Sequence, residues 1–404
     1  MTNLSQLSDG LKPWGDVFRA LWRVGHNDDG THKDVVNVLE WGAKGDGSTD
    51  DTAAINAAIA VASNKELLFP PTGAPYKTSG GHQITAPMTL RGGGRGTIGT
   101  DSLRSVLSLA NGSNRDMFTI GHKLVDIHGL GLYGNKGNQS GTSRGIAFDS
   151  TQGLAYITLR DLWIDSFLTS GINPATSGSS LSESTIEHCE VRNSGGRGID
   201  VNAGASDLTI TNCQVALNQL SGIYWNTSGK SLGNHVWGNG QADTSNDNSG
   251  LTAFGAVQVI GGQYESNGLA ATGHGRGLDL RSKGCKVVDA DVYSNLGHGI
   301  YAFFNGGAFI EIANNTVFNN STGGGGSGIV IDTLTRASVT GNVMYDDQVT
   351  KTQTYGILEI NNPDYIGYMN NVARAADHKT GNWSLGTGAH NLPVAASMAT
   401  LNIG

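Results

Sequence analysis

The chain has 404 residues and a formal net charge of −8, and charged residues make up only 15% of it. Binding to nucleic acids depends on clustered lysine and arginine, so this composition argues against a nucleic-acid partner. Glycine occurs 60 times and proline 8 times without a Gly-X-Y period, which excludes a collagen-like chain and favours a β-protein with many tight turns.

The N-terminal section, residues 1–34, is predicted as a helical peg or linker. Val17, Phe18, Leu21 and Trp22 fall on one face of a short amphipathic helix. The first residues lack the basic and then apolar layout of a secretion signal, so we expect a virion protein or one released extracellularly without a classical signal peptide. Apolar stretches are too short to cross a bilayer, and membrane insertion is not expected.

A strand-like segment, a Gly-Asp-Gly turn at 45–47 and an alanine-rich helix follow one another between Val36 and Asn64. Asp50 or Asp51 stands where a carboxylate can accept hydrogen bonds from the free N–H groups at the start of the helix. This segment resembles the N-terminal signature of the pectate-lyase-like β-helix superfamily. Phage tailspikes, alginate C5-epimerases and many polysaccharide lyases and hydrolases share that signature.

The resemblance implies an all-β fold, a right-handed parallel β-helix over residues 35–375 with a capping helix at about 50–64. In such a fold the Gly-Asp-Gly turn is architectural. The resemblance also implies a polysaccharide as the partner. Residues 376–404 are expected to cover the last turn or to mediate association.

A glycine followed by an apolar residue recurs every 22 to 29 residues along the middle of the chain. These glycines are Gly145, Gly171, Gly198, Gly222, Gly250, Gly277, Gly299, Gly328 and Gly356. A second apolar residue usually stands two places after the first, which is typical of a strand with alternate side chains pointing inward. Nine such repeats predict nine solenoid turns stacked in one register.

A column of asparagines precedes the glycines in the same register. It reads Asn135, Asn218, Asn239, Asn267, Asn295 and Asn320, with Asp165 and Asp347 as substitutes and Asn193 one residue early. Asparagine tolerates the left-handed backbone of a sharp corner, and stacked amides can hydrogen-bond along a ladder. Cys189 and Cys213 fall at matching points of successive repeats, which predicts stacked core residues rather than a disulfide framework.

Residues beside the inward-pointing positions are expected to point outward and to line one long face. The richer of two clusters on this face contains Arg276, Asp279, Arg281, His298, Tyr301 and Asp332. It offers a cation for a sugar carboxylate and groups that move a proton, as β-elimination or epimerisation requires. Asp279 and Asp332, two turns or roughly 10 Å apart, would alternatively suit a hydrolase. We predict Asp279, Arg281, His298, Tyr301 and Asp332 as catalytic and Arg276 and Phe303 as substrate-binding.

The second cluster contains Arg197, Asp200, Asn202, Tyr224 and Asn226. We predict Asp200 and Tyr224 as catalytic and the other three as substrate-binding. Alginate C5-epimerases carry Tyr-Gly-x-Asp-Pro-His-Glu on an equivalent turn. Residues 197–203 read Arg-Gly-Ile-Asp-Val-Asn-Ala, which keeps the aspartate but not the other side chains, so epimerase activity of that type is disfavoured.

The function predicted first is a phage tailspike-type depolymerase, a lyase or a hydrolase, acting on a capsular or wall polysaccharide. One alternative is a free-standing uronate-polymer lyase or mannuronan C5-epimerase, and another is a non-catalytic carbohydrate-binding spike. The tailspike resemblance implies a homotrimer. No cofactor is expected to be required, although Asp289 and Asp291 leave a Ca²⁺ site possible.

Overall fold

The computed structural model describes residues 34–96, 104–149, 153–174, 180–201, 206–242, 248–269, 275–386 and 390–391. The predicted N-terminal helix lies outside these residues. Within them, parallel strands form three walls around one apolar core, and the predicted all-β parallel β-helix is confirmed. No helix in the described ranges is long and apolar enough to cross a membrane.

The wall that carries the recurring glycines is called the glycine wall. Its strands are His82–Ile84, Phe118–Ile120, Arg144–Phe148, Ser170–Pro174, Ile199–Val201, Ile223–Trp225, Leu251–Ala253, Leu278–Leu280, Tyr355–Ile360 and Gly381–Ser384. Two longer strands, Ile300–Ala313 and Ile329–Thr340, begin in the glycine wall and continue into the second wall.

The second and third walls complete each coil. The second wall also contains Val35–Asn37, Glu66–Phe69, Met88–Gly92, Val125–His128, Ile157–Arg160, Thr185–Glu187, Leu208–Thr211, Gly229–Leu232, Val257–Ile260, Lys286–Val288, Ile366–Met369 and His390–Asn391. The third wall contains Tyr76–Thr78, Val106–Leu109, Gly131–Tyr133, Trp163–Asp165, Glu190–Arg192, Gln214–Ala216, His235–Trp237, Gln263–Glu265, Asp291–Tyr293, Thr316–Phe318, Val343–Tyr345 and Val372–Ala373. A short pair, Gly153–Ala155 with Ser180–Ser182, lies beside these walls.

The 12-stranded third wall corresponds to more coils than the nine glycines indicate. The first two strands of the glycine wall pair in register with the later ones, but Met117 stands where the next coil has Gly145. The last strand, Gly381–Ser384, has Asn382 at the same place. The glycine pattern misses the first of these coils because Gly81 is followed by His82 rather than by an apolar residue. It misses the second and the last because Met117 and Asn382 stand in place of the glycine.

Close approach between coils explains the glycine column. A side-chain carbon at Gly250 would lie 2.7 Å from the carbonyl oxygen of Gly277 and 2.7 Å from Nδ2 of Asn267. The Gly250 amide donates to the carbonyl of Arg276 at 2.8 Å, so the backbone cannot move away without losing this hydrogen bond. The backbone is not left-handed here, and glycine is required by space rather than by a turn.

The asparagine ladder is present over five successive coils. Nδ2 of each residue donates to Oδ1 of the next at 2.8, 3.1, 2.9 and 2.9 Å, through Asn218, Asn239, Asn267, Asn295 and Asn320. All five side chains are fully buried, so each amide satisfies polar groups that would otherwise be costly to bury.

The ends of the ladder differ from the prediction. Asp165 lies two places before the column, where its carboxylate accepts from Nδ2 of Asn193 at 3.0 Å. Asp347 pairs with Asn319 on the surface, and Gln353 instead accepts from Asn320 at 3.3 Å. The sequence spacing could not separate these residues because Asp and Asn occur at several corners of each coil.

A second ladder, which the sequence analysis missed, lies where the second wall turns into the third. Asn315 donates to Asn342 and Asn342 donates to Asn371, each at 2.9 Å. Cys189 and Cys213 occupy the same column in earlier coils. Both are buried free thiols, as predicted, and burial raises the pKa of Cys189.

Residues 46–51 hold the first turn through their carboxylates. Asp46 accepts hydrogen bonds from Ser48 and Thr49, and these bonds lower its pKa. Asp50 accepts from the amide of Thr52, the first residue of the helix, at 3.0 Å, whereas Asp51 accepts from the amides of Lys44 and Gly45. Asp46 therefore has an architectural role, as the resemblance implies.

The capping helix is the segment Thr52–Val61, shorter at both ends than predicted. It buries Ile55, Ala58 and Ile59 against the end of the core. Short 3-10 helices occur at Val38–Trp41, Lys136–Asn138 and Ala375–Asp377.

We predict that Gly250→Ala destabilises the protein by about 1–3 kcal/mol, because the added carbon overlaps the neighbouring coil. The free energy of unfolding, measured by urea denaturation, checks this expectation. Gly137→Ala is the matched control, since nothing lies within 4 Å of the added carbon there. Equal stability of the two variants would contradict a role for coil-to-coil contact.

We also predict that stability falls as the pH drops from 6.5 to 4. His82 is buried between Thr78 and Asn56, each 2.7 Å from a ring nitrogen, and burial lowers its pKa to about 4. The unfolded chain binds the proton already near pH 6.5, so protonation favours unfolding, by about 3 kcal/mol across this window. Urea denaturation as a function of pH should show a shallower slope in His82→Gln; an unchanged slope would assign the loss to other groups.

Candidate functional site

The predicted outward column of the glycine wall is stacked in register. Asp200, Tyr224, Thr252, Asp279, Tyr301 and Val330 face one another across successive coils. Unlike the exposed face expected from the sequence, most of this column is buried. Longer side chains from neighbouring positions lie across the column, and their functional groups are the ones that reach the surface.

The Arg276 cluster, defined as Arg276, Asp279, Arg281, His298, Tyr301 and Asp332, is brought together on neighbouring coils. Asp279 is fully buried and accepts from Nη1 of Arg276 at 2.6 Å. Both of its oxygens also lie 3.0 Å from Nε of Arg281. The carboxylate thus orients two guanidinium groups, whose side chains remain 18% and 21% exposed.

Arg276 connects these charges to Tyr301. Its guanidinium carbon lies 3.7 Å from the centre of the Tyr301 ring, within the range of a cation–π contact. The Tyr301 hydroxyl donates to Oδ2 of the buried Asp332. Burial and this hydrogen bond raise the pKa of Tyr301, so the phenol is neutral at pH 7. Asn361 and Thr333 donate to the other oxygen of Asp332 at 2.8 and 2.7 Å.

His298 also contacts the Tyr301 ring. Its ring stacks on Tyr301 with 5.7 Å between centroids and 22° between planes. The amide of Ser327 donates to Nδ1 of His298 at 3.0 Å. In the neutral ring the proton is therefore on Nε2, assigned from this hydrogen bond, which makes Nε2 a hydrogen-bond donor.

The Arg197 cluster, defined as Arg197, Asp200, Tyr224 and Asn226, has a similar core. Nη1 of Arg197 donates to Oδ2 of Asp200 at 2.9 Å, and its guanidinium carbon lies 3.5 Å from the centre of the Tyr224 ring. Asn173 also donates to Asp200, at 2.8 Å. Asn226 is exposed on the next strand end. The predicted binding residue Asn202 lies outside the described residues.

Phe254 joins the two clusters, although it was not among the predicted site residues. Its ring lies 5.4 Å from that of Tyr224, and the guanidinium carbon of Arg281 lies 5.8 Å from its centre. With 41% of its surface exposed, it is the most accessible aromatic of this group. Its outward position in the repeat, four residues after Gly250, is the feature of the sequence that could have identified it. Phe303, predicted to bind substrate, is half-buried in register with Asp332.

The carboxylates of this surface are poorly placed for hydrolysis. Asp200, Asp279 and Asp332 are all buried and bonded to neighbouring side chains. A glycosidase needs one carboxyl group at the leaving oxygen and another at the sugar ring or its water. The groups that reach the surface are guanidinium, imidazole and aromatic rings, which favour an acidic sugar as ligand.

Among the described residues, no group of three His, Cys, Asp or Glu side chains is arranged to hold a metal ion. Asp289 adopts a left-handed backbone at a corner, and Asp291 lies in a third-wall strand. The possible Ca²⁺ site at these two residues stays a prediction.

The names of several proteins with a similar sequence refer to polysaccharides. A K30/K69-specific capsule depolymerase of Klebsiella phage K64-1 is 24% identical over 364 residues, which is 87% of this chain and 40% of the phage protein. Mannuronan C5-epimerase AlgE2 of Azotobacter vinelandii is 28% identical over 196 residues, 46% of this chain and 17% of the epimerase. The chain thus spans less than half the length of either relative.

Solved structures and family models agree with the fold. The A-module of mannuronan C-5 epimerase AlgE4 from Azotobacter vinelandii matches with a TM-score of 0.64 at 20% identity, covering 89% of this chain and 98% of the module. At this identity the likeness shows the fold alone. The family model described as rhamnogalacturonase A/epimerase, pectate lyase-like, matches residues 35–242, and that of the right-handed β-helix region matches residues 144–372. The chain therefore belongs to the pectate-lyase-like family of right-handed β-helix proteins.

Proposed function

We propose that the chain binds an acidic polysaccharide along the glycine wall and breaks it by β-elimination at the Arg276 cluster. The observation that carries this proposal is the pair of guanidinium groups, Arg276 and Arg281, held by one buried carboxylate beside a phenol. Two fixed cations can neutralise a uronate carboxylate and the enolate that develops when the neighbouring C5 proton leaves. Asp279 acts through the arginines and is a positioning residue.

Tyr301 carries the proton transfers in this proposal, and His298 holds the departing oxygen by a hydrogen bond. Tyr301 takes the C5 proton while its own phenolic proton passes to Asp332, to which it is already hydrogen-bonded. The electrons left at C5 form a double bond to C4, and the C4–O bond to the next sugar breaks. The departing oxygen receives its proton from Asp332 through the Tyr301 hydroxyl, while the Nε2–H of His298 donates a hydrogen bond to it. The raised pKa of Tyr301 is compatible with these steps because Asp332, not the phenol, holds the proton between them.

The biological setting is proposed from the phage relative. A depolymerase specific for a bacterial capsule aligns over 87% of this chain, which supports a tailspike-type depolymerase for a capsular or wall polysaccharide. A virion or extracellular location and a homotrimer belong to the same proposal. No cofactor is required by the proposed steps, since the two arginines supply the positive charge.

Two other functions have specific support. Epimerisation shares the enolate and differs only in returning a proton to the opposite side of C5, and an epimerase aligns over 46% of this chain. A non-catalytic carbohydrate-binding spike is favoured by the burial of Asp200 and Asp279 in ion pairs.

A polysaccharide panel separates these functions. The purified chain should produce ultraviolet-absorbing unsaturated ends from a uronate-containing polymer. New reducing ends without that absorbance would indicate hydrolysis, and a changed uronate composition without cleavage would indicate epimerisation. Binding without any product would indicate a spike that only binds.

We predict that Tyr301→Phe lowers turnover by about 10²- to 10⁴-fold, because it removes the phenolic oxygen but keeps the ring under Arg276. Affinity for the polymer should stay within about twofold, since the stacking surface is retained. Tyr224→Phe is the matched control, because Tyr224 carries the same arginine contact in the Arg197 cluster. If both variants lose turnover equally, or neither does, Tyr301 is not the proton acceptor.

A further inference from the structure

One structural unit occurs twice on the glycine wall. It consists of Arg-Gly-apolar-Asp in one coil and a tyrosine in register with the aspartate in the next. The first copy is Arg197 to Asp200 with Tyr224, and the second is Arg276 to Asp279 with Tyr301.

The two copies have nearly the same geometry. The Nη1–Oδ2 distance is 2.9 Å in the first and 2.6 Å in the second. The guanidinium carbon lies 3.5 Å from the tyrosine ring centre in the first and 3.7 Å in the second. In each copy the carboxylate is the more buried partner, with side chains 7% and 0% exposed, and the guanidinium is the charge that reaches the surface.

The copies lie three coils apart along the stack. Asp200, Tyr224, Thr252 and Asp279 are consecutive partners in the register. At about 4.8 Å per coil, equivalent groups are therefore about 14 Å apart. An extended polymer lying along the wall would pass over both.

The copies differ at one decisive place. Asp332, which accepts the proton of Tyr301, stands two residues beyond the partner of Tyr301 in the following coil. The equivalent residue for Tyr224 is Phe254, two residues beyond its partner Thr252. Phe254 contacts the Tyr224 ring but cannot accept a proton. The first copy thus has an exposed aromatic ring at the place where the second has the carboxylate that accepts from Tyr301.

We infer that the first copy, with Phe254, is a binding subsite for a distant acidic unit of the same polysaccharide. Arg197 meets the negative charge, and the exposed ring of Phe254 offers a stacking platform for a sugar between the two arginine centres. The assignment of chemistry to the second copy rests on the proposed function. A substrate must then be long enough to span three coils before it binds with full strength.

The test measures binding of size-fractionated alginate oligosaccharides by titration calorimetry, in the Tyr301→Phe background so that no ligand is consumed. We expect affinity to rise by about tenfold once the oligosaccharide reaches both copies. Arg197→Gln and Phe254→Ala should each remove that rise without changing the affinity for the shortest binding fragment. Phe254→Ala is the safer variant, because Arg197→Gln leaves the buried Asp200 without its cation. Phe309→Ala, at an exposed phenylalanine of the second wall, is the control and should change nothing.

The outcomes separate the two proposals. Length-dependent binding that both variants abolish supports the subsite, even if the wild-type chain yields no product and the proposed chemistry is wrong. Product formation with a length dependence that neither variant changes overturns the subsite alone. Failure of the chain to bind any oligosaccharide of the series overturns the subsite together with alginate-like uronate polymers as the substrate.

Discussion

The fold depends on how closely neighbouring coils approach at the glycine wall. A side-chain carbon added at Gly222 would lie 2.8 Å from the carbonyl oxygen of Gly250 in the next coil. One added at Gly250 would lie 2.7 Å from that of Gly277. A buried amide of the asparagine ladder fills the rest of that space. Backbone hydrogen bonds, ladder and glycines therefore support one another, and no one of them can change without disturbing the next coil. Stability in such a stack comes from the contacts between repeats rather than from any repeat alone.

The architecture was predictable because these contacts leave a periodic trace in the sequence. Glycine is needed in most coils, and an ordered amide in several, so both columns could be found by spacing. The spacing pattern is interrupted where another residue stands in the position of the glycine, as Met117 does near the beginning of the wall. The second ladder escaped notice because Asn315, Asn342 and Asn371 share their column with cysteine and alanine.

The sequence predicted which residues of the candidate site lie together better than it predicted the role of each residue. Position beside a recurring glycine placed Arg276, Asp279 and Tyr301 together, and they do contact one another. Burial could not be deduced, because it depends on how long side chains fold back over the wall. Asp279 is consequently hidden under the arginines that it orients, whereas Phe254, one coil away, is exposed. The periodicity of a sequence predicts whether a side chain points into or out of the solenoid. It does not predict which other side chains cover it.

The stacking of coils makes distances along the glycine wall discrete. Because each coil contributes one fixed step, the separation of the two Arg–Asp–Tyr units can change only by gain or loss of whole repeats. A related chain with one repeat more or fewer between the two units would keep the same side chains but hold them one coil farther apart or closer together. Selectivity for polymers with differently spaced charges could thus arise by insertion or deletion of coils, with no substitution in either unit.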